Sequence, residues 1–151
     1  MLQSLQIECQ YQWKPACLRE QVEYFFPMAI SPYMRNQYNG PAVYRWEVFR
    51  KDSGDTKIVY IGEAQEMCPK RLYSYLNPGP TQVANRKVNT DFRGYLKEKL
   101  NIRLDLLDVV DFKMPGLIMH PGLLKDKYVR RLLAAAQIIE HKNKGYNVID
   151  L

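Results

Sequence analysis

The chain has 151 residues, 46% of them hydrophobic and 25% charged. That balance excludes a disordered chain and leaves room for one core, not for two full domains. No stretch approaches the roughly 18 to 20 consecutive apolar residues that span a bilayer, so a membrane partner is not expected. The net charge of +6 and a pI near 9.2 favour a polyanionic partner.

In chain order, the opening MLQSLQIECQYQWKP has no positive region before an apolar run, so it does not read as a signal peptide. The expected location is cytoplasmic. Cys9, Cys17 and Cys68 are odd in number and lack CxxC or Cys/His spacing, which argues against disulfides and a zinc site. Residues 1–39 are expected to be an N-terminal extension, with CLREQVEYFFPMAI as a short amphipathic helix ending near Pro27.

From residue 40 the pattern sharpens. AVYRWEVFR (42–50) and IVYIG (58–62) have strand composition, and Ser53-Gly54-Asp55 between them signals the turn of a hairpin. Pro69 suits the first turn of a helix over KRLYSYL, which stops before Asn77-Pro78-Gly79-Pro80. A polar, basic helix is expected over about 88–100 and a strand over 104–112. The loop MPGLIMHPG then leads to a last helix from Leu123 to Lys142, with Gly145 placed to end it. YNVIDL reads as a short closing strand. The order ββααβαβ with one small sheet is an α+β arrangement.

The basic residues are unevenly spread. Arg86, Lys87, Arg93, Lys97, Lys99 and Arg103 outnumber Asp91 and Glu98 over one short stretch, interleaved with Phe92 and Tyr95. This is either a solvated helix face or a surface that tracks phosphates, where lysine and arginine release condensed counterions.

Ala42-Val43-Tyr44, followed sixteen residues after its tyrosine by Tyr60-Ile61-Gly62, resembles the paired motifs of the GIY-YIG nucleases. Arg71 falls on the next helix, where that family carries an arginine. Tyr75, one turn on, matches its Tyr or His, and Tyr146-Asn147-Val148 matches its Tyr-Asn-Val ending. Ala42 in place of the first glycine is a departure. The resemblance covers residues 40–149. It implies a small, mainly antiparallel three-stranded sheet flanked by helices, forming a nuclease domain over 40–151.

It also implies a DNA endonuclease that hydrolyses phosphodiesters with one Mg²⁺ or Mn²⁺ ion. Arg71 would hold phosphate oxygens through its two-pronged guanidinium. Tyr44, with Tyr60 beside it, would position the water or take its proton, Tyr75 would complete the pocket, and Asn147 would stand near the metal's carboxylate. Lys70, Arg86, Lys87, Arg93 and Lys97 are the expected DNA contacts. Gly62 reads as structural, allowing a tight turn from strand to helix.

The family's metal ligand is a glutamate twelve residues before that asparagine, which here is Ala135. Three readings stand: an insertion that makes Glu140 the ligand, a natural relative that binds nucleic acid without cutting, or a glutamate replaced by Ala135. The third is favoured because the rest of the constellation is present. Glu63, where some relatives carry lysine, reads as solvent-exposed; His120 and His141 lack partners at ligand spacing and read as structural or solvated. Specificity would come from a homodimer, the leader, the 77–90 loop or a partner protein. The rival reading is a non-catalytic nucleic-acid-binding module.

Overall fold

A computed structural model describes residues 1–117 and 120–151, with Thr56 and Lys57 described by backbone alone. The described strands and α-helices are β1 (Glu8–Pro15), β2 (Cys17–Arg19), β3 (Val22–Glu23), α1 (Pro32–Gln37), β4 (Ala42–Phe49), β5 (Thr56–Ala64), α2 (Leu72–Leu76), α3 (Val83–Lys97), β6 (Asn101–Lys113), α4 (Lys127–Asn143) and β7 (Asn147–Asp150), with a π-helical turn over Met67–Arg71 before α2 and a 3-10 turn over Leu123–Lys125 before α4. The expected loop over 114–122 includes Ile118 and Met119, which lie outside the described residues.

The α+β class stands, but the sheet is larger than the three strands expected. Five strands lie in the order β1-β6-β4-β5-β7. β1–β6, β6–β4 and β4–β5 are antiparallel and β5–β7 is parallel, so the sheet is mixed. The extra edge strand comes from the leader. Along β1, exposed Glu8, Gln10, Gln12 and Lys14 alternate with half-buried Cys9, Tyr11, Trp13 and Pro15, the period of a strand with one covered face. It finds a partner because β6 is long: Asn101–Leu106 pairs with β4, and the strand then runs on to pair with β1 through Asp105–Lys113.

The helix expected within 17–30 is likewise corrected. That segment carries the strands β2 and β3, paired across a turn where Gln21 has φ of 59°. The helix begins later, where Ser31 accepts a hydrogen bond from the Met34 amide and Pro32 occupies the first turn. Both are strong helix-start features.

The two sheet faces bury different cores. Tyr44, Trp46 and Tyr60 lie on the face packed with Leu72 and Tyr75 of α2 and Val88 and Phe92 of α3. Val43, Val59 and Ile61 lie on the other, against Val129, Leu133 and Ala134 of α4. Trp46 is wholly buried and meets Phe26, Phe92 and Tyr75 edge-on, geometries that add to the burial of large aromatic area. α4 starts at Asp126, whose carboxylate accepts from the Tyr128 and Val129 amides. It stops before Gly145, which has the positive φ of 91° expected of a terminating glycine. No described helix is long and apolar enough to cross a membrane.

Candidate active site

Tyr44 stands opposite Gly62 in the β4–β5 register. Because residue 62 has no side chain, the phenol can lie across it: a Cβ built there would come within 2.8 Å of the Tyr44 hydroxyl and 2.9 Å of the Leu151 Cβ. Gly62 is therefore required by close packing, not by a turn, since β5 continues to Ala64. From α2, Tyr75 brings its hydroxyl to 2.5 Å from that of Tyr44. α2 is fixed in turn by Asn89 of α3, whose amide donates to the Tyr75 carbonyl at 2.6 Å.

Both phenols are about 1% exposed. Burial pushes the Tyr44 hydroxyl well above its ordinary range, reinforced by Tyr75, while the Arg71 guanidinium opposes the rise. Burial also raises Tyr75, against the pull of Tyr44 and Arg71. A phenol so placed keeps its proton at neutral pH, so the pair is equipped to donate and position and not to serve as a phenolate base.

Arg71 connects this buried pair to solvent. It lies one turn before Tyr75 and lines a cleft of about 1110 Å³. Lys70 of the same turn and Lys125, just before α4, line it too, with Glu66 as the acid on its wall. Glu63 lies on the opposite sheet face, near enough for its charge to reach Tyr44. Its carboxylate is held by buried Arg130 at 2.6 Å, and Arg130 also donates to the Leu124 and Lys125 carbonyls.

The other expected site residues are placed elsewhere. Tyr60 turns toward α3, donating to Asp91 at 3.2 Å and meeting the Tyr95 hydroxyl at 3.0 Å, and burial pushes its phenol upward. Ala135 is on the exposed face of α4, in the stripe of Tyr128 and Arg131. Asn147 is exposed beside Ile58. Gly62 is four steps further along β5, a distance of about 13 Å along a strand. Glu140, on the side of α4 reached by β1, is bonded by the Tyr11 hydroxyl, which with Lys144 holds its carboxyl below the usual range.

Of the expected DNA contacts, Lys70 joins Arg71 in the cleft. Arg86, Lys87, Arg93 and Lys97 are exposed on α3. Three of these have partners already: Arg86 donates to the Pro80 carbonyl, Lys87 pairs with Asp91, and Arg93 lies over the Phe26 ring. The expected 77–90 loop is shorter than its sequence suggests, because α3 begins at Val83.

His141 is neither solvated nor a ligand. Its Nε2 lies 3.0 Å from Arg45 and its Nδ1 2.7 Å from the Gln137 carbonyl. Arginine only donates, so Nε2 accepts, Nδ1 carries the proton, and the ring is neutral. Burial lowers its pKa, as does Arg45. Arg45 also pairs with Glu47 and Asp105, which Arg103 contacts as well, in a partly buried charge network.

The single carboxylate that the resemblance implies for holding a divalent ion is not present at its position, which holds Ala135. Among the described residues no three His, Cys, Asp or Glu side chains group as a metal site. Ala135 offers only a methyl group; Glu66 lines the cleft itself, and Glu63, on the opposite sheet face, is engaged by Arg130. Hard cations need oxygen donors, and a carboxylate neutralised by a guanidinium is a poor one. Arg71, Lys70 and Lys125 bring a guanidinium and two ammonium groups to a polar cleft that also holds the Glu66 carboxylate, with the two buried phenols behind Arg71. Comparison of the chain with family models, curated proteins and solved structures finds no match.

Proposed function

We propose that the chain is a DNA endonuclease domain of the GIY-YIG type that binds a phosphodiester at Arg71 and, lacking the metal's carboxylate, does not cut it as it stands. The observation that carries this reading is the Tyr44–Tyr75–Arg71 constellation, built on the two strands and the following helix that hold the resembling motifs. Arg71 binds and orients the phosphate, since its fork presents paired donors to two oxygens. Lys70 and Lys125 add positive charge along the approach, with no salt-bridge partner among the described residues. Tyr44 and Tyr75 keep their protons and fix the inner side of the site. Glu63 is kept from repelling the phosphate by its bond to Arg130.

The rival, a binding module that never cuts, shares each of these steps and differs only in what a restored carboxylate does. The test is binding and cutting of plasmid and oligonucleotide DNA, with Mg²⁺ or Mn²⁺, by the chain and by Ala135→Glu. Salt-sensitive binding by both and cutting by Ala135→Glu alone is the expected result. Binding without cutting by either would favour the module, and cutting by the unaltered chain would overturn the assignment of Ala135.

A further inference from the structure

The cleft at Arg71 has a wall that phosphate binding does not use. Tyr73 of α2 lines it with 54% of its surface exposed, and among the described residues no other ring or cation packs on it. Lys70 and Arg71 precede it on the same short segment. The rest of the lining is a wall rich in side-chain amides: Asn39, Gln65, Asn77, Gln82 and Asn85. Part of this second wall is tied down: Gln82 accepts from the Gly79 amide and from Asn85.

Resting on the proposed phosphodiester site, we infer that this cleft takes unpaired DNA, with a base stacked on Tyr73 while the adjoining phosphate lies on Lys70 and Arg71. Three features favour a single strand over a duplex. A duplex presents its phosphates outward and hides its base faces, so an exposed ring at the wall of a concave site would have nothing to stack on. The amides both donate and accept, which matches the mixed donor and acceptor edges of bases, whereas a phosphate only accepts. The volume of about 1110 Å³ is just above the roughly 300–1,000 Å³ usual for small-molecule sites, enough for a short run of nucleotides and too little to enclose a duplex.

The test measures dissociation constants by fluorescence anisotropy at one fixed salt concentration. The probes are a duplex, the same duplex carrying a short single-stranded gap, and the unpaired strand alone; the proteins are the unaltered chain, Tyr73→Ala, Tyr73→Trp and Arg71→Ala. The unaltered chain is expected to bind gapped and single-stranded DNA about tenfold more tightly than duplex. Tyr73→Ala should lose most of that preference, a change in line with the roughly tenfold effect of removing one stacked base. Tyr73→Trp should keep it, because indole also offers a stacking face. Arg71→Ala should weaken all three probes together. Equal affinity for duplex and gapped DNA, or a preference unmoved by Tyr73→Ala, would overturn the inference while an Arg71 effect left the phosphodiester site standing. Binding of none of the probes would remove both.

Discussion

The hydroxyls of Tyr44 and Tyr75 meet at 2.5 Å beside the one residue of β5 that could not carry a side chain there, Gly62. The contact links the central strand β4 to α2, and α2 begins directly after Arg71. Adding a methyl group at 62 would force Tyr44 off its position, because the built Cβ lies 2.8 Å from its hydroxyl. Gly62→Ala is expected to destabilise the fold by about 1–3 kcal/mol, the usual cost of overpacking. It should also weaken DNA binding, because Arg71 loses its backing. Urea unfolding and anisotropy check the two effects, and unchanged stability would mean that the phenol moves aside freely.

The tyrosine pair itself makes a second expectation. Removing either hydroxyl leaves the other buried without its partner, which costs roughly 1–3 kcal/mol, whereas removing both leaves no orphan. The double variant Tyr44→Phe/Tyr75→Phe should therefore lose less stability than the sum of Tyr44→Phe and Tyr75→Phe. A double-mutant cycle on urea unfolding measures the difference, and strict additivity would show that the two groups do not interact.

Much of this arrangement was legible in the chain. β4, β5, α2 and β6 fall where composition and turn residues place them, and Tyr44, Tyr75 and Arg71 are the residues that the family resemblance points to. β1 was missed although its signal was present: Cys9, Tyr11 and Trp13 alternate with Glu8, Gln10, Gln12 and Lys14. Its partner, the distal half of β6, is about 100 residues away along the chain, and periodicity alone does not name a partner. Tyr60 was grouped with Tyr44 on motif spacing, but its hydroxyl is set by Asp91 and Tyr95 of α3. Glu63, Arg130 and His141 gain their roles only from pairings across the fold, which local pattern cannot show.

His141 gives a pH dependence. Burial lowers its folded pKa below the ordinary histidine value near 6.5, so the unfolded chain binds its proton more readily than the folded one. Its contribution to stability is then complete above about pH 6.5 and is lost as pH falls from there through the lower folded pKa. A protonated ring would also put a donor at Nε2 against the Arg45 guanidinium. Glu47, whose carboxyl burial pushes upward, faces the same arginine and has the opposite sign, so the comparison must be by variant. The stability gap between the unaltered chain and His141→Gln should narrow between pH 7.5 and pH 5. A gap constant over that range would mean that His141 stays neutral throughout or is not buried.

The exposed and buried faces of α4 separate two neighbouring substitutions. Ala134 is 7% exposed and packs with Val43, Ile61 and Leu133, whereas Ala135 faces solvent in the stripe of Tyr128 and Arg131. A carboxylate at 134 would be desolvated against an apolar surface, and Arg130, the buried guanidinium one turn earlier, is already paired with Glu63. Ala134→Glu is therefore expected to cost about 2 kcal/mol or more and to lower Tm by several degrees. Ala135→Glu should fall within about 0.5 kcal/mol of the unaltered chain, as exposed substitutions usually do. It also lies one turn beyond Arg131, where an i, i+4 pair adds a few tenths of a kcal/mol. Thermal unfolding of the two variants side by side decides the matter. Equal stability would mean that the face of α4 at residue 134 is open enough to solvate a charge.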